Sequence, residues 1–165
     1  MATYIKIATV TVPATPQASM DFTSIPSTYT DLKIVYSAAP TTGSSIGITT
    51  SFNGSTANFT SRAIEGSGSG NATSWTRTNE FGGMNGTTAN TFSNVEIYIP
   101  NYALTTNNKS YCVDSTPEAN ATTAYMSLIT GLWSNTNALT SISIIAGSST
   151  FRQHSTATLY GISKS

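Results

Sequence analysis

Three aliphatic side chains, Val95, Ile97 and Ile99, alternate with Asn94, Glu96 and Tyr98 inside TFSNVEIYIPNY, residues 91–102. An extended chain sends successive side chains to opposite faces. This two-residue period therefore predicts a strand with one buried face. Pro100 removes a ladder donor and Asn101 supports a turn, so the strand is expected to stop there. No helical stripe fits the same residues as well.

The same pattern recurs in short runs. Residues 4–12 alternate until Pro13 and Pro16 break them, and residues 19–25 put Met20 and Phe22 on one face. Residues 30–38 set Leu32, Ile34 and Tyr36 against Lys33 and Val35. Residues 46–52 lead into Asn53-Gly54, a pair that tolerates the positive φ angles of a type I′ turn. Residues 58–65 are expected to return antiparallel to that strand. Residues 66–71 (GSGSGN) read as a flexible loop, 74–81 (SWTRTNEF) as one strand, and 82–86 (GGMNG) as a second glycine-rich loop. Asn107-Asn108 opens a hairpin into residues 109–115. Residues 117–123 form a loop with room for a short helical turn. Residues 125–133 (YMSLITGLW) fit a strand better than a helix, with Met126, Leu128 and Thr130 on one face and Ile129 on the other. Residues 141–145 and 155–162 complete the set. About ten short antiparallel strands in an all-β chain predict a sandwich or a barrel. No repeat, linker or shift in composition divides residues 1–165, so one domain is expected, with residues 1–18 an extended N-terminal strand or arm.

Composition narrows the function. Charged residues are 8% of the 165, seven basic and seven acidic, against roughly 25% in ordinary soluble proteins. Such a surface steers neither nucleic acid nor an anionic membrane. Hydrophobic content of 38%, eight Tyr and six Phe argue against disorder. A nearly neutral surface has little charge to keep copies apart, so much of it is expected to be covered in the working state. The single cysteine, Cys112, permits no intrachain disulfide and is expected to be a small buried hydrophobe. The N-terminal MATYIKIATVTV lacks the basic and apolar regions of a signal peptide and reads as a strand. No apolar run approaches ~18 residues, so no membrane insertion is expected. The Asn-x-Ser/Thr triplets at Asn53, Asn58, Asn71, Asn85, Asn108 and Asn120 are expected by chance in so Asn-, Ser- and Thr-rich a chain.

Catalytic signals are weak. His154 is the sole histidine, so a Ser-His-Asp triad would need it with Asp21, Asp31 or Asp114, and no Gly-x-Ser-x-Gly elbow exists. Paired carboxylates for glycoside hydrolysis would come from Glu65, Glu80, Glu96, Asp114 and Glu118, a set that chance also produces. GSGSGN is followed by no Lys-Ser/Thr. One histidine and one cysteine make a zinc site improbable, and no acidic calcium-loop run is present. No catalytic residue, cofactor or metal is assigned. Trp75, Trp133 and the tyrosines are suited either to core packing or to stacking on a neutral glycan. Trp75, Arg77, Trp133, Tyr102 and His154 are the candidate partner or glycan contacts.

The segments SFNGSTANFTSR, TFSNVEIYIPNY, GLWSNT and STATLYGI, above all the closing Leu159-Tyr160-Gly161-Ile162, resemble small virion structural proteins of tailed bacteriophages, particularly from aquatic bacteria. The resemblance spans residues 21–162 and is structural, carrying over no functional residue. It implies an antiparallel jelly-roll-like β-sandwich, made in the host cytoplasm and displayed in many copies on the virion. Two roles follow. A head decoration (cement) protein, a homo-oligomer with a trimer favoured, would bind the phage major capsid protein and anchor through residues 3–12. A fibre or spike module would bind a host surface glycan through residues 66–71 and 82–88. The chain is short for a fibre that also carries a shaft, which favours decoration. A free carbohydrate-binding module is a third reading, and an enzyme is the least favoured.

Overall fold

The computed structural model describes residues 3–121 and 124–163. These form twelve strands: β1 (Thr3–Thr11), β2 (Ser19–Phe22), β3 (Asp31–Ala38), β4 (Ser45–Phe52), β5 (Phe59–Gly66), β6 (Thr73–Arg77), β7 (Glu80–Asn85), β8 (Ser93–Ile99), β9 (Lys109–Thr116), β10 (Met126–Trp133), β11 (Ile142–Ile145) and β12 (Thr156–Ser163). No helix occurs among the described residues. Residues 122 and 123 of the loop at 117–123, like residues 1 and 2 of the N-terminal arm, lie outside them.

Two antiparallel sheets make the sandwich. The large one runs β1-β12-β3-β8-β9-β10-β5-β6 and the small one β2-β11-β4-β7. Their logic is a set of nested pairs. β5 pairs with β6, β4 with β7, β3 with β8, β2 with β11 and β1 with β12. Successive pairs fall in alternate sheets, as in a long hairpin rolled on itself, which is jelly-roll topology. The β9–β10 hairpin is an insertion in this scheme. It wedges between β8 and β5 and widens the large sheet by two strands.

Alternation makes the core. In β8, Val95, Ile97 and Ile99 are fully buried while Asn94 and Glu96 are exposed, as the two-residue period predicts. Between the sheets Phe52, Phe59, Phe81, Tyr111 and Trp133 form one cluster. Its ring centroids lie 5.1 Å (Phe52–Phe59) to 6.4 Å (Phe59–Tyr111) apart, mostly edge to face, the arrangement aromatic quadrupoles prefer. Two glycines complete the packing. Gly131 stands directly opposite Tyr111 in the β9–β10 ladder, and a Cβ there would lie 2.1 Å from the tyrosine ring. Gly161 receives Tyr29 in the same way, at 2.3 Å.

Four expectations are corrected. Asn53 and Gly54 do adopt positive φ (50° and 76°), but β5 does not return against β4. It pairs with β10 and β6 in the other sheet, because the Asn53 side chain ties the turn to residues 138–141. Residues 74–81 are not one strand, since the chain crosses between sheets at Thr78-Asn79 and GGMN becomes part of β7. Gly82 lies where a Cβ would meet Ser115 Oγ at 2.6 Å, so this glycine serves close sheet packing, not a loop. Cys112 is exposed: Tyr111 and Val113 take the inward positions of β9 and turn it outward.

Candidate functional site

The outer face of the large sheet is about 34 Å across, eight strands at their usual spacing. Its register brings residues from distant parts of the chain into rows. One row reads Lys6, Tyr160, Lys33, Tyr98, Cys112, Thr130, Arg62, Thr76 across the eight strands. The next reads Thr9, Thr158, Val35, Glu96, Asp114, Leu128, Ile64, Ser74. Leu128 and Ile64 are therefore cross-strand neighbours. With Met126 they form an aliphatic patch in which each side chain is more than half exposed (52%, 58% and 53%). A shallow groove of about 570 Å³ runs beside them, with Arg62, Trp75, Cys112 and Asp114 in its lining.

The other half of this face is aromatic and charged. Lys33 Nζ lies 2.6 Å from Glu96 Oε1 and 5.5 Å from the centre of the Tyr4 ring. Tyr98 OH donates to Asp31 Oδ2 at 2.7 Å, and Asp31 Oδ1 accepts from the Asn101 backbone N–H at 2.9 Å. The hydrogen bond to the Asp31 carboxylate, with burial and its charge, raises the Tyr98 hydroxyl to about 12.

The sheet edges differ. β2 has four residues and carries Asp21, β6 has five and carries Arg77, and β7 is interrupted by Gly82 and Gly83. β1 is the longest strand, nine residues, and its only charge is Lys6, with a bulge at Ile7. A long edge with unpaired backbone groups is a template for another strand.

A second feature lies inside the sandwich. β7, the edge of the small sheet, packs over β8, β9 and β10. The inserted hairpin has moved β5 and β6 beyond it, so the inner face of these two strands overhangs. The resulting cleft, about 250 Å³, is lined by Glu65, Trp75, Arg77, Glu80, Tyr125 and Ser127, among others. The Arg77 guanidinium lies 4.9 Å from the centre of the Trp75 ring and its Nε 3.3 Å from Glu80 Oε2. Ser127 Oγ donates to Glu65 Oε2 at 3.1 Å. Burial raises the Glu80 carboxyl above its ordinary range, with the nearby Glu65 charge adding and Arg77 opposing.

The candidate residues thus separate. Trp75 and Arg77 share the cleft. Trp133 and Tyr102 are core residues, with Trp133 Nε1 donating to Ala57 O at 3.2 Å and Tyr102 OH to Pro26 O, so neither presents a surface to a partner. His154 is exposed in a turn, with φ 73°. Of the carboxylates, Glu65 and Glu80 share the cleft, while Glu96 and Asp114 stand opposite each other on the outer face. Among the described residues no three His, Cys, Asp or Glu come together as a metal group. The outer-face residues Met126 and Leu128 had a readable signal: strand 126–133 carries apolar residues on both faces, more than one core requires, whereas Ile64 stands between Arg62 and Gly66 on its face and gave none.

The site and fold define a two-sheet all-β sandwich with one broad open face. No protein family, no curated protein and no solved structure matches the chain.

Proposed function

We propose that the chain is a non-enzymatic structural protein of a bacteriophage virion, acting as a head decoration protein that holds neighbouring capsid subunits together. The outer face of the large sheet supports this reading most. On a chain with 8% charged residues, Ile64, Met126 and Leu128 stand together in solvent. Patches of this kind mark surfaces that work covered. The partners in this reading are the phage major capsid protein and further copies of the chain, a trimer being favoured, with β1 available to extend a partner's sheet. The resemblance in the closing strand and in TFSNVEIYIPNY adds to it.

The test is immunogold electron microscopy of phage particles from the culture that yields the chain. Label over the whole head is the expected result. Label confined to the tail tip or to fibres would replace decoration by host attachment, and particles without label would overturn the virion reading.

A further inference from the structure

We infer that the groove on the outer face holds an extended segment of the capsid partner whose downward side chains run acidic, aliphatic, basic at every second residue. The inference rests on the decoration reading and names what that reading leaves open, the chemistry of the partner at this face.

The groove combines an aliphatic surface with two opposite charges that the chain leaves unpaired. Arg62 and Asp114 line it together with Ile64 and Leu128, and all four are exposed. Arg62 Nη1 donates to the carbonyl of its own neighbour, Ser61, at 3.0 Å, and its guanidinium meets no carboxylate among the described residues. Asp114 meets no cation among them either. The carboxylate opposite it in the ladder, Glu96, is already taken by Lys33 at 2.6 Å. Asp114 therefore has a like charge beside it and no counter-ion of its own, an arrangement that a partner's cation relieves.

Register fixes the spacing. Arg62 stands opposite Thr130, and Thr130 opposite Cys112, two residues from Asp114. Arg62 and Asp114 are thus two strands and two residues apart, about 12 Å from Cα to Cα at the usual sheet spacings. The line between them crosses β10 at Leu128 and Thr130. An extended segment advances about 13 Å in four residues and turns residues i, i+2 and i+4 to one side. Laid along that line, it sets a carboxylate over Arg62, a cation over Asp114 and the side chain between them against Leu128. An aliphatic side chain there takes Leu128 and Ile64 out of water, a gain that a polar one forgoes. A segment with the charges reversed meets like charge at both ends. A nucleic acid or an anionic lipid surface offers no cation and is repelled by Asp114.

The experiment sediments fluorescently labelled chain with phage heads cleared of their resident copies. Arg62→Glu, Asp114→Lys and the double variant are compared with the parent, with Asp21→Lys on the small sheet as the control for charge in general. Each single reversal is expected to weaken binding at least tenfold, since each sets like charges against each other at the contact. The double variant has the parent's net charge and is expected to bind no better than the single ones, because each position faces a fixed opposite charge. Asp21→Lys is expected to bind as the parent does. The substituted side chains are exposed, so an unchanged thermal midpoint is expected. Should a reversal unfold the chain, Arg62→Gln and Asp114→Asn carry the same test. Parent-like binding by the reversed variants, recovery in the double variant or an equal loss in Asp21→Lys would overturn the inference and leave decoration standing. A parent chain that does not bind heads would overturn decoration, and the inference with it.

Discussion

At the scale of single residues, two contacts do work that neighbouring side chains cannot replace. Gly131 exists for Tyr111: the ring occupies the space where a Cβ would stand. Gly131→Ala is expected to cost about 2 kcal/mol, as overpacking a filled site does. Gly47→Ala, where an added Cβ would have nothing within 4 Å, is expected to stay within about 0.5 kcal/mol. Urea denaturation of both variants checks this, and equal costs would refute the packing account. The second contact is the Tyr98–Asp31 hydrogen bond. Because the Tyr98 hydroxyl is raised from 10.0 to about 12 in the fold, the protonated form is the stabilised one. Its contribution is complete below pH 10 and is lost as pH rises through about 12. Tyr98→Phe is expected to be less stable than the parent by about 1 kcal/mol at pH 8, with the gap closing by pH 12. Denaturation at both pH values tests the sign. Burial also raises Tyr36, Tyr102 and Tyr111, but they are common to both proteins and cancel in the difference.

At the scale of elements, alternation was enough to find strands but not to allocate them to sheets. Val95, Ile97 and Ile99 announce β8 because the period is local. The departure of β5 from β4 was not legible, since Asn53-Gly54 specifies a tight turn and not the partner that follows it. That partner is decided by Asn53 Oδ1 accepting from Thr140 and Ser141 N–H at 2.8 and 3.1 Å, some ninety residues along the chain. The split of residues 74–81 was hidden for a related reason: the alternating pattern runs on through Thr78 and Asn79 while the backbone changes sheets. Lys109 shows a further long-range device. Its buried ammonium donates to the carbonyls of Leu104, Asn107 and Thr136 at 2.7, 2.7 and 3.0 Å, pinning the loop before β9 to the one after β10. Lys109→Met keeps the stem but orphans those carbonyls and is expected to cost about 2 kcal/mol. Proteolysis should then appear first in residues 100–108 and 134–140. An unchanged digestion pattern and midpoint would show that the lysine is not a clamp.

At the scale of the whole molecule, the low charge, the open aliphatic patch and the long β1 edge are what the proposed decoration role rests on, and that proposal has the large sheet covered in the particle. Composition pointed towards that covering, but which face it falls on was not readable. The exposed patch that the proposal assigns to it emerges only when the register places Leu128 beside Ile64. The cleft was still less accessible to sequence reasoning, because it exists only where the β9–β10 insertion carries β5 and β6 past β7. Cys112, the single cysteine, is exposed in the middle of the outer face, between Tyr98 and Thr130, and is the natural reporter. The most direct measurement is the rate of maleimide labelling of Cys112 in the free chain and in intact phage particles. The account predicts rapid labelling of the free chain and strong protection in the particle. Equal rates in both would contradict it, leaving the outer face open to solvent and the partner contact elsewhere.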